Sequence, residues 1–356
     1  MTDAILKNEE RAILTLRGLY RQYGYAPYKM SRFEEYDLYV RSKDFLVSDQ
    51  IITFSGDRGR LMALKPDVTL SIVKNAPEEP GVVQKVYYNE NVYRDYREIM
   101  QAGLECVGDL GAYEIVEVVL LAAESLRLLG SDYVLDISHM GLVGAVMDSC
   151  GMEEAEKKQA MECLRRKNLH ELEVLCRGRN DAWNKLRTLA ACRGSGDGVL
   201  AQVRGVLSTE AELQAFAELQ TLWEILKGSG SSVRLDFSVG NNMRYYSGVV
   251  FRGYLAGIPS SVLSGGQYDK LPRKMGRKAK AIGFAIYVDL LQELYREENS
   301  CDVDTLILHD GTVDTGVLTA AAAEAAKSGT VLVARQLPRD RNWKKLMRFE
   351  KGEAVT

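Results

Sequence analysis

Two alternating runs, residues 82–94 and 98–107, stand with little more than Asp95 and Tyr96 between them. A gap that short holds a tight turn and no crossover helix, so the runs pair as neighbouring antiparallel strands. A sheet begun this way belongs to an α+β fold. No G-x-G-x-x-G follows the first strand and no Walker-type loop occurs anywhere, which argues against a doubly wound nucleotide-binding sheet.

Within the second run, a period of two places Gln101, Gly103 and Glu105 on one face and Ala102, Leu104 and Cys106 on the other. The latter face is apolar and packs. The former offers an amide and a carboxylate with a side-chain-free gap between them, and two uses fit it: a solvated outer surface, or the floor beneath a small polar ligand. Arg94 favours the ligand, because the turn at Asp95 and Tyr96 brings it beside the start of the polar face. A cation and a carboxylate on one floor suit the two ends of an amino acid.

Around this hairpin the patterns alternate between helix and strand. Residues 5–23 carry Ile13, Leu16, Tyr20 and Tyr23 at helical spacing, and Gly24 stops the helix. Short strand-like runs at 45–47, 51–54 and 61–64 flank the turn-rich Ser55-Gly-Asp-Arg-Gly, which predicts a further hairpin. Residues 115–129 read as a helix packed on the sheet, and 134–137 as a strand. Residues 152–208, rich in Glu, Lys, Arg, Leu and Ala, read as an inserted helical module closing in the loop-like Arg193-Gly-Ser-Gly-Asp-Gly. A helix at 210–227 and strands at 233–237, 245–251 and 281–285 resume the sheet. From Cys301 a strand, an alanine-rich helix (317–326) and another strand (331–334) form a small separate α/β piece, so the expected division is 1–300 and 301–356.

The 356 residues carry 46 Lys+Arg against 49 Asp+Glu, a net charge of −3, which supplies no global attraction to nucleic acid or anionic membrane. At 46% hydrophobic residues the chain can bury a large core. It shows no apolar run near membrane-spanning length and no secretory signal at its start, so a cytoplasmic location is expected. Six scattered cysteines (Cys106, Cys150, Cys163, Cys176, Cys192, Cys301) and three isolated histidines predict buried free thiols, with neither a metal site nor a disulfide framework. The segment from Lys270 to Lys280 holds six basic residues but lacks aromatic interleaving beyond Tyr268. It reads as a solvated loop, or a rim meeting an acidic partner, rather than an RNA site.

The hairpin strands resemble motif 2 of class II aminoacyl-tRNA synthetases, in the version found in histidyl-tRNA synthetases and their paralogues. Three more blocks follow the family's pattern: Leu64-Lys-Pro-Asp-Val-Thr69, Met243-Arg-Tyr-Tyr-Ser-Gly-Val-Val-Phe251 and Gly265-Gly-Gln-Tyr-Asp269. The resemblance runs from about residue 5 to 295. It implies a class II synthetase-like antiparallel sheet flanked by helices, with the 301–356 tail similar to a fragment of the anticodon-binding domain. It also implies a histidine pocket lined by Asp67, Thr69, Arg94, Gln101, Glu105, Tyr245 and Tyr246. Taken alone, Asp67 after Pro66 suits a helix N-cap. A strand through Tyr245 and Tyr246 would send them to opposite faces, leaving one for the core.

The departures fall where a synthetase needs cations around ATP. The motif 2 loop has shrunk to Asp95 and Tyr96, Leu290 stands where the family's motif 3 arginine binds ATP, and Asn241 replaces the arginine before the tyrosine pair. Losing one preorganised charge-stabilising group raises a barrier by roughly 2.7 to 4 kcal/mol, so two such losses remove on the order of 10⁴ in rate. Ser31 replaces the motif 1 proline of the synthetase dimer interface. Within the family, the chain is most similar to the regulatory subunits of ATP phosphoribosyltransferase. That similarity implies a non-catalytic, cofactor-free chain that joins a short-form catalytic subunit in the first step of histidine biosynthesis, forms a homodimer inside a hetero-oligomer, and carries L-histidine as effector without binding tRNA. An active histidyl-tRNA synthetase and a free-standing amino-acid-binding paralogue are the rival readings.

Overall fold

A computed structural model describes residues 6–46, 50–77, 79–240, 245–292, 301–350 and 353–355. The hairpin forms as the sequence predicts. Val83–Arg94 and Arg97–Gly108, twelve residues each, pair antiparallel from Val83↔Gly108 to Arg94↔Arg97. Asp95 (φ 51°) and Tyr96 (φ 60°) make the two-residue turn, with the two left-handed residues that match the right-handed twist of the strands.

The solvated-surface option for Gln101, Gly103 and Glu105 is excluded, because every residue from Gln101 to Val107 is buried on both faces. On the apolar face lie the helices Asn8–Gln22 and Ala112–Leu129. Ala12, Ile13, Leu16, Leu19 and Tyr20 form the buried stripe of the first, and each large apolar side chain so removed from water contributes roughly 1.5–3 kcal/mol. Tyr23 departs from the expected stripe. It sits at the C-cap, 47% exposed, where Gly24 (φ 81°) turns the chain away.

Among the described residues, nine strands make the main sheet, in the order Ala26–Pro27, Val83–Arg94, Arg97–Gly108, Lys280–Tyr287, Leu263–Gln267, Val249–Leu255, Tyr133–His139, Val233–Asp236, Arg193–Gly194. Most neighbours are antiparallel, as expected. Ala26–Pro27 and Val233–Asp236 add parallel pairs at either side, so the sheet is mixed. The inserted module is helical, with Glu154–Arg166, Leu169–Leu175, Asn180–Ala191 and Gly196–Arg204. The glycine-rich stretch read as its closing loop instead supplies a two-residue strand and the first turn of Gly196–Arg204, where Gly196 packs so tightly on Trp223 that a Cβ would lie 2.2 Å from the ring. Lys185 joins the module to the helix Glu210–Gly228 through a buried ion pair with Glu212 at 2.9 Å.

Three further expectations are corrected. The run at 45–47 is no strand: Lys43–Phe45 is a 3₁₀ turn that delivers Phe45 to the core, and Val47 lies outside the described residues. The hairpin Thr53–Ser55 with Leu61–Leu64 does form, and Phe33–Glu35 joins it as a third strand. The strand expected at 245–251 begins only at Val249, which leaves Tyr245 and Tyr246 in the turn before it. The basic segment is a short helix, Lys270–Lys274, followed by Arg277, whose guanidinium donates to the carbonyls of Ala76 and Lys74, so it is stitched to the domain rather than a solvated loop.

The chain divides into two compact units, Met1–Leu294 and Tyr295–Thr356. In the second, the expected strands Val303–His309 and Val331–Ala334 and the helix Thr315–Ala326 are joined by Trp343–Glu350 and Glu353–Val355 in a four-stranded sheet. The last two strands went unread because Trp343-Lys-Lys-Leu-Met-Arg-Phe does not alternate cleanly. Among the described residues no helix is long and apolar enough to cross a membrane.

Candidate functional site

The polar face of the hairpin floors a cavity of about 440 Å³. Cross-strand register explains its shape. Gly103 lies opposite Ala285, Ala285 opposite Ser264 and Ser264 opposite Arg252, while Glu105 lies opposite Gly283 and Gly283 opposite Gly266. The floor is therefore almost bare of side chains at its centre and carries polar groups at its edges. The bareness is required: a Cβ on Gly103 would stand 2.7 Å from the Tyr88 hydroxyl, and one on Gly283 would stand 1.7 Å from Glu105 Oε2.

All seven residues nominated from the sequence line this one cavity. Glu105 is 2% exposed. The Thr69 hydroxyl donates to its Oε1 at 2.7 Å, and the Tyr268 hydroxyl donates to its Oε2. Burial pushes the Glu105 carboxyl up to about 8; the bonds from Tyr268 and Thr69 oppose that rise and the nearby Asp67 adds to it. Asp67 is raised as well by burial, against the Leu70 N–H bond and the charge of Arg94. The N-cap of the helix Thr69–Lys74 is Val68, one residue after Asp67, but Asp67 Oδ1 still accepts from Leu70 N–H in the first turn at 2.9 Å, and the same side chain faces the cavity.

Arg94 reaches back from the end of its strand, 7% exposed, and its buried Nε finds no hydrogen-bond partner among the described residues. Gln101 is 4% exposed on the same floor. The tyrosine pair corrects the expectation of opposite faces. Placed in a turn, both rings turn inward, 4.7 Å apart and edge to face, and Tyr245 also packs on Tyr268 at 5.5 Å and Phe45 at 5.9 Å. These aromatic contacts wall the cavity and keep its carboxyls poorly solvated.

Tyr88, Arg252, Ser264, Tyr268 and Tyr287 also line the cavity and were not nominated. Alternation could have found Tyr88, six residues before Arg94 on one strand face, and Tyr268 stands inside a block already singled out. Arg252 and Ser264 depend on which strands become neighbours, which no local pattern states. Asn241 lies outside the described residues. Leu290 is half-buried in the short helix Val288–Leu291, and no loop rises from the hairpin beyond the two turn residues.

A larger cleft of about 1360 Å³ adjoins the cavity, sharing Phe45 and Tyr246 with it, between the inserted helices and the sheet. Several of its charged groups are already paired, Lys157 with Asp148 at 2.6 Å and His139 Nε2 with Glu218 at 3.2 Å. His139 Nδ1 also caps the following helix by accepting from Leu142 N–H at 3.1 Å. Among the described residues no group of three His, Cys, Asp or Glu side chains could hold a metal ion.

A family model described as histidyl-tRNA synthetase matches residues 3–291. A curated ATP phosphoribosyltransferase regulatory subunit from Halalkalibacterium halodurans is 31% identical over 273 residues, 71% of this chain and 68% of that protein. The chain belongs to the histidyl-tRNA synthetase family, in its branch of ATP phosphoribosyltransferase regulatory subunits. A solved structure described as an ATP phosphoribosyltransferase regulatory subunit/histidyl-tRNA synthetase from Bacillus halodurans superposes on this family member with a TM-score of 0.74 at 25% identity, covering 97% of this chain and 95% of that one. A chain of the ATP phosphoribosyl transferase (HisG:HisZ) complex from Thermotoga maritima shares the fold, with a TM-score of 0.61 at 18% identity over 78% of this chain and 96% of that one.

Proposed function

We propose that this chain is a regulatory subunit of ATP phosphoribosyltransferase: it joins a short-form catalytic subunit, activates it in the first step of histidine biosynthesis, and passes on the histidine feedback signal without catalysis of its own. The observation that supports this reading is one cavity lined by all seven residues that the resemblance nominates for an amino-acid pocket. Glu105 accepts from the imidazole of histidine, Asp67, Thr69 and Gln101 hold its ammonium, and Arg94 takes its carboxylate. A histidine side chain suits Glu105, because a cationic ring would pull the proton off a carboxyl held near neutrality by burial. The regulation is linkage: histidine alters activity only by binding two states of the assembly with different affinities. The relatives named as regulatory subunits, and the solved complex of the same fold, support the partnership.

The test mixes the purified chain with a short-form ATP phosphoribosyltransferase subunit. Co-elution in size-exclusion chromatography, with higher activity that histidine then suppresses, is the expected result. Separate elution at micromolar concentrations overturns the partnership, and histidine-dependent pyrophosphate exchange by the chain alone overturns the non-catalytic reading.

A further inference from the structure

The part of the cavity away from Glu105 carries a feature that an amino-acid pocket does not need. Arg252 rises from Val249–Leu255, half-buried, and lines the cavity, yet no hydrogen bond or ion pair joins it to another described residue. Its strand is the third away from the strand of Glu105 (Lys280–Tyr287 and Leu263–Gln267 intervene), so the two backbones stand about 14 Å apart at three strand spacings. A histidine gripped by Glu105 and Thr69 leaves that end unfilled. Ser264 lies directly opposite Arg252 in register, and Ser261 lines the same cavity.

Charge points the same way. The cavity holds two guanidinium groups, Arg94 and Arg252, against two carboxyls, Asp67 and Glu105. Burial drives both carboxyls toward their neutral forms, whereas no carboxylate bonds either arginine among the described residues. With the Glu105 carboxyl pushed up to about 8, the carboxyls do not fully balance the two guanidinium groups near neutral pH, and such a cavity attracts an anion more strongly than a zwitterion.

We propose that Arg252, with Ser264 opposite it, forms a second subsite in this cavity that takes a phosphate group, separate from the amino-acid end at Glu105. A guanidinium fork matches two phosphate oxygens and a flanking hydroxyl donates to a third. The inference rests on the cavity being the effector site of the proposed function, but not on histidine being its effector.

Calorimetry on the full-length wild type, Arg252→Gln and Arg252→Lys, with inorganic phosphate, L-histidine and L-histidinol phosphate as probes, decides it. Inorganic phosphate should bind the wild type, lose at least about tenfold in affinity in Arg252→Gln and recover only part of it in Arg252→Lys, which restores the charge without the fork. Histidine affinity should stay within about twofold in both variants. Tighter binding of histidinol phosphate, weakened by Arg252→Gln and by Glu105→Gln alike, supports the subsite with one ligand spanning both ends. Equal affinity for histidinol phosphate and inorganic phosphate supports it with an independent anion. Two results overturn it: phosphate that fails to bind the wild type at 10 mM (about 2.7 kcal/mol in binding free energy) or binds Arg252→Gln equally well, and histidine affinity that falls in step with phosphate affinity in Arg252→Gln. If phosphate binds through Arg252 while histidine binds nowhere, the histidine reading fails and the anion subsite stands.

Discussion

Glu105 is the side chain on which the pocket turns. It accepts two hydroxyl donors and sits against Gly283 with no room to swing toward that strand. Replacing it by Gln keeps the shape and removes the charge, so histidine affinity should drop by at least about tenfold, the cost of losing one partner of a buried charged hydrogen bond. Calorimetry measures the loss and circular dichroism checks the fold. The same carboxyl sets a pH signature. It ionises at 4.5 in the ordinary case and at about 8 in the fold, so between those values the folded chain holds a proton that the unfolded chain has released. Its contribution to stability therefore declines as pH rises from about 4.5 to about 8 and is constant above. Urea midpoints at pH 5.5, 7.0 and 8.5 should fall more steeply in the wild type than in Glu105→Gln. Parallel slopes would place the proton elsewhere.

Among the elements, the hairpin and the floor make opposite demands on small residues. Asp95 and Tyr96 both hold left-handed backbone without being glycine, and Tyr96 is 82% exposed, so nothing in packing repays its conformation. Tyr96→Gly produces the Asp-Gly pair that such turns prefer and should raise unfolding stability by up to about 1 kcal/mol, read as a higher urea midpoint at unchanged slope. Gly283→Ala does the reverse. Its Cβ would press on Glu105 Oε2 at 1.7 Å and on the Leu104 carbonyl at 2.5 Å, and a carbonyl within the sheet cannot step aside. A loss of about 1–3 kcal/mol is expected, with weakened histidine binding. Unchanged melting and unchanged binding would show that the strands part more easily than their register implies.

Across the whole molecule, the inserted helices must be held at a defined place on the core if they are to border the large cleft. Lys185 and Glu212 do much of that. Both are buried, and Glu212 accepts further bonds from the Ser149 hydroxyl at 2.6 Å and from the amides of Ser208 and Thr209 at 2.7 and 2.9 Å. Burial opposes its ionisation, but these bonds and Lys185 hold it down at about 2. The contribution is complete above pH 4.5 and is lost as pH falls toward about 2. Lys185→Met leaves the carboxylate without its cation and should destabilise the chain by roughly 3–5 kcal/mol. Thermal unfolding of variant and wild type checks this; a shift equivalent to less than 1 kcal/mol would mean that the remaining donors suffice.

Local pattern carried much of this molecule. Alternation through Gln101, Gly103 and Glu105, the two-residue gap after Arg94 and the helical stripe of Ile13, Leu16 and Tyr20 are statements about neighbours in the chain, where strand and helix periods act directly. The resemblance of four short blocks brought seven residues together that alternation alone could not join. What escaped depended on long-range contact. Tyr245 and Tyr246 read as a strand by composition, yet they precede the strand, where Phe45 and Tyr268 offer the Tyr245 ring a wall to pack on and Tyr246 packs against Tyr245. Arg252 reads as one charge in an apolar run and becomes a lining residue only when Val249–Leu255 pairs with Leu263–Gln267. The raised Glu105 carboxyl belongs to the same class, since its cause is water excluded by elements dozens of residues away. Backbone periodicity is a property of a few consecutive residues, whereas strand order, burial and field strength are properties of the assembled sheet.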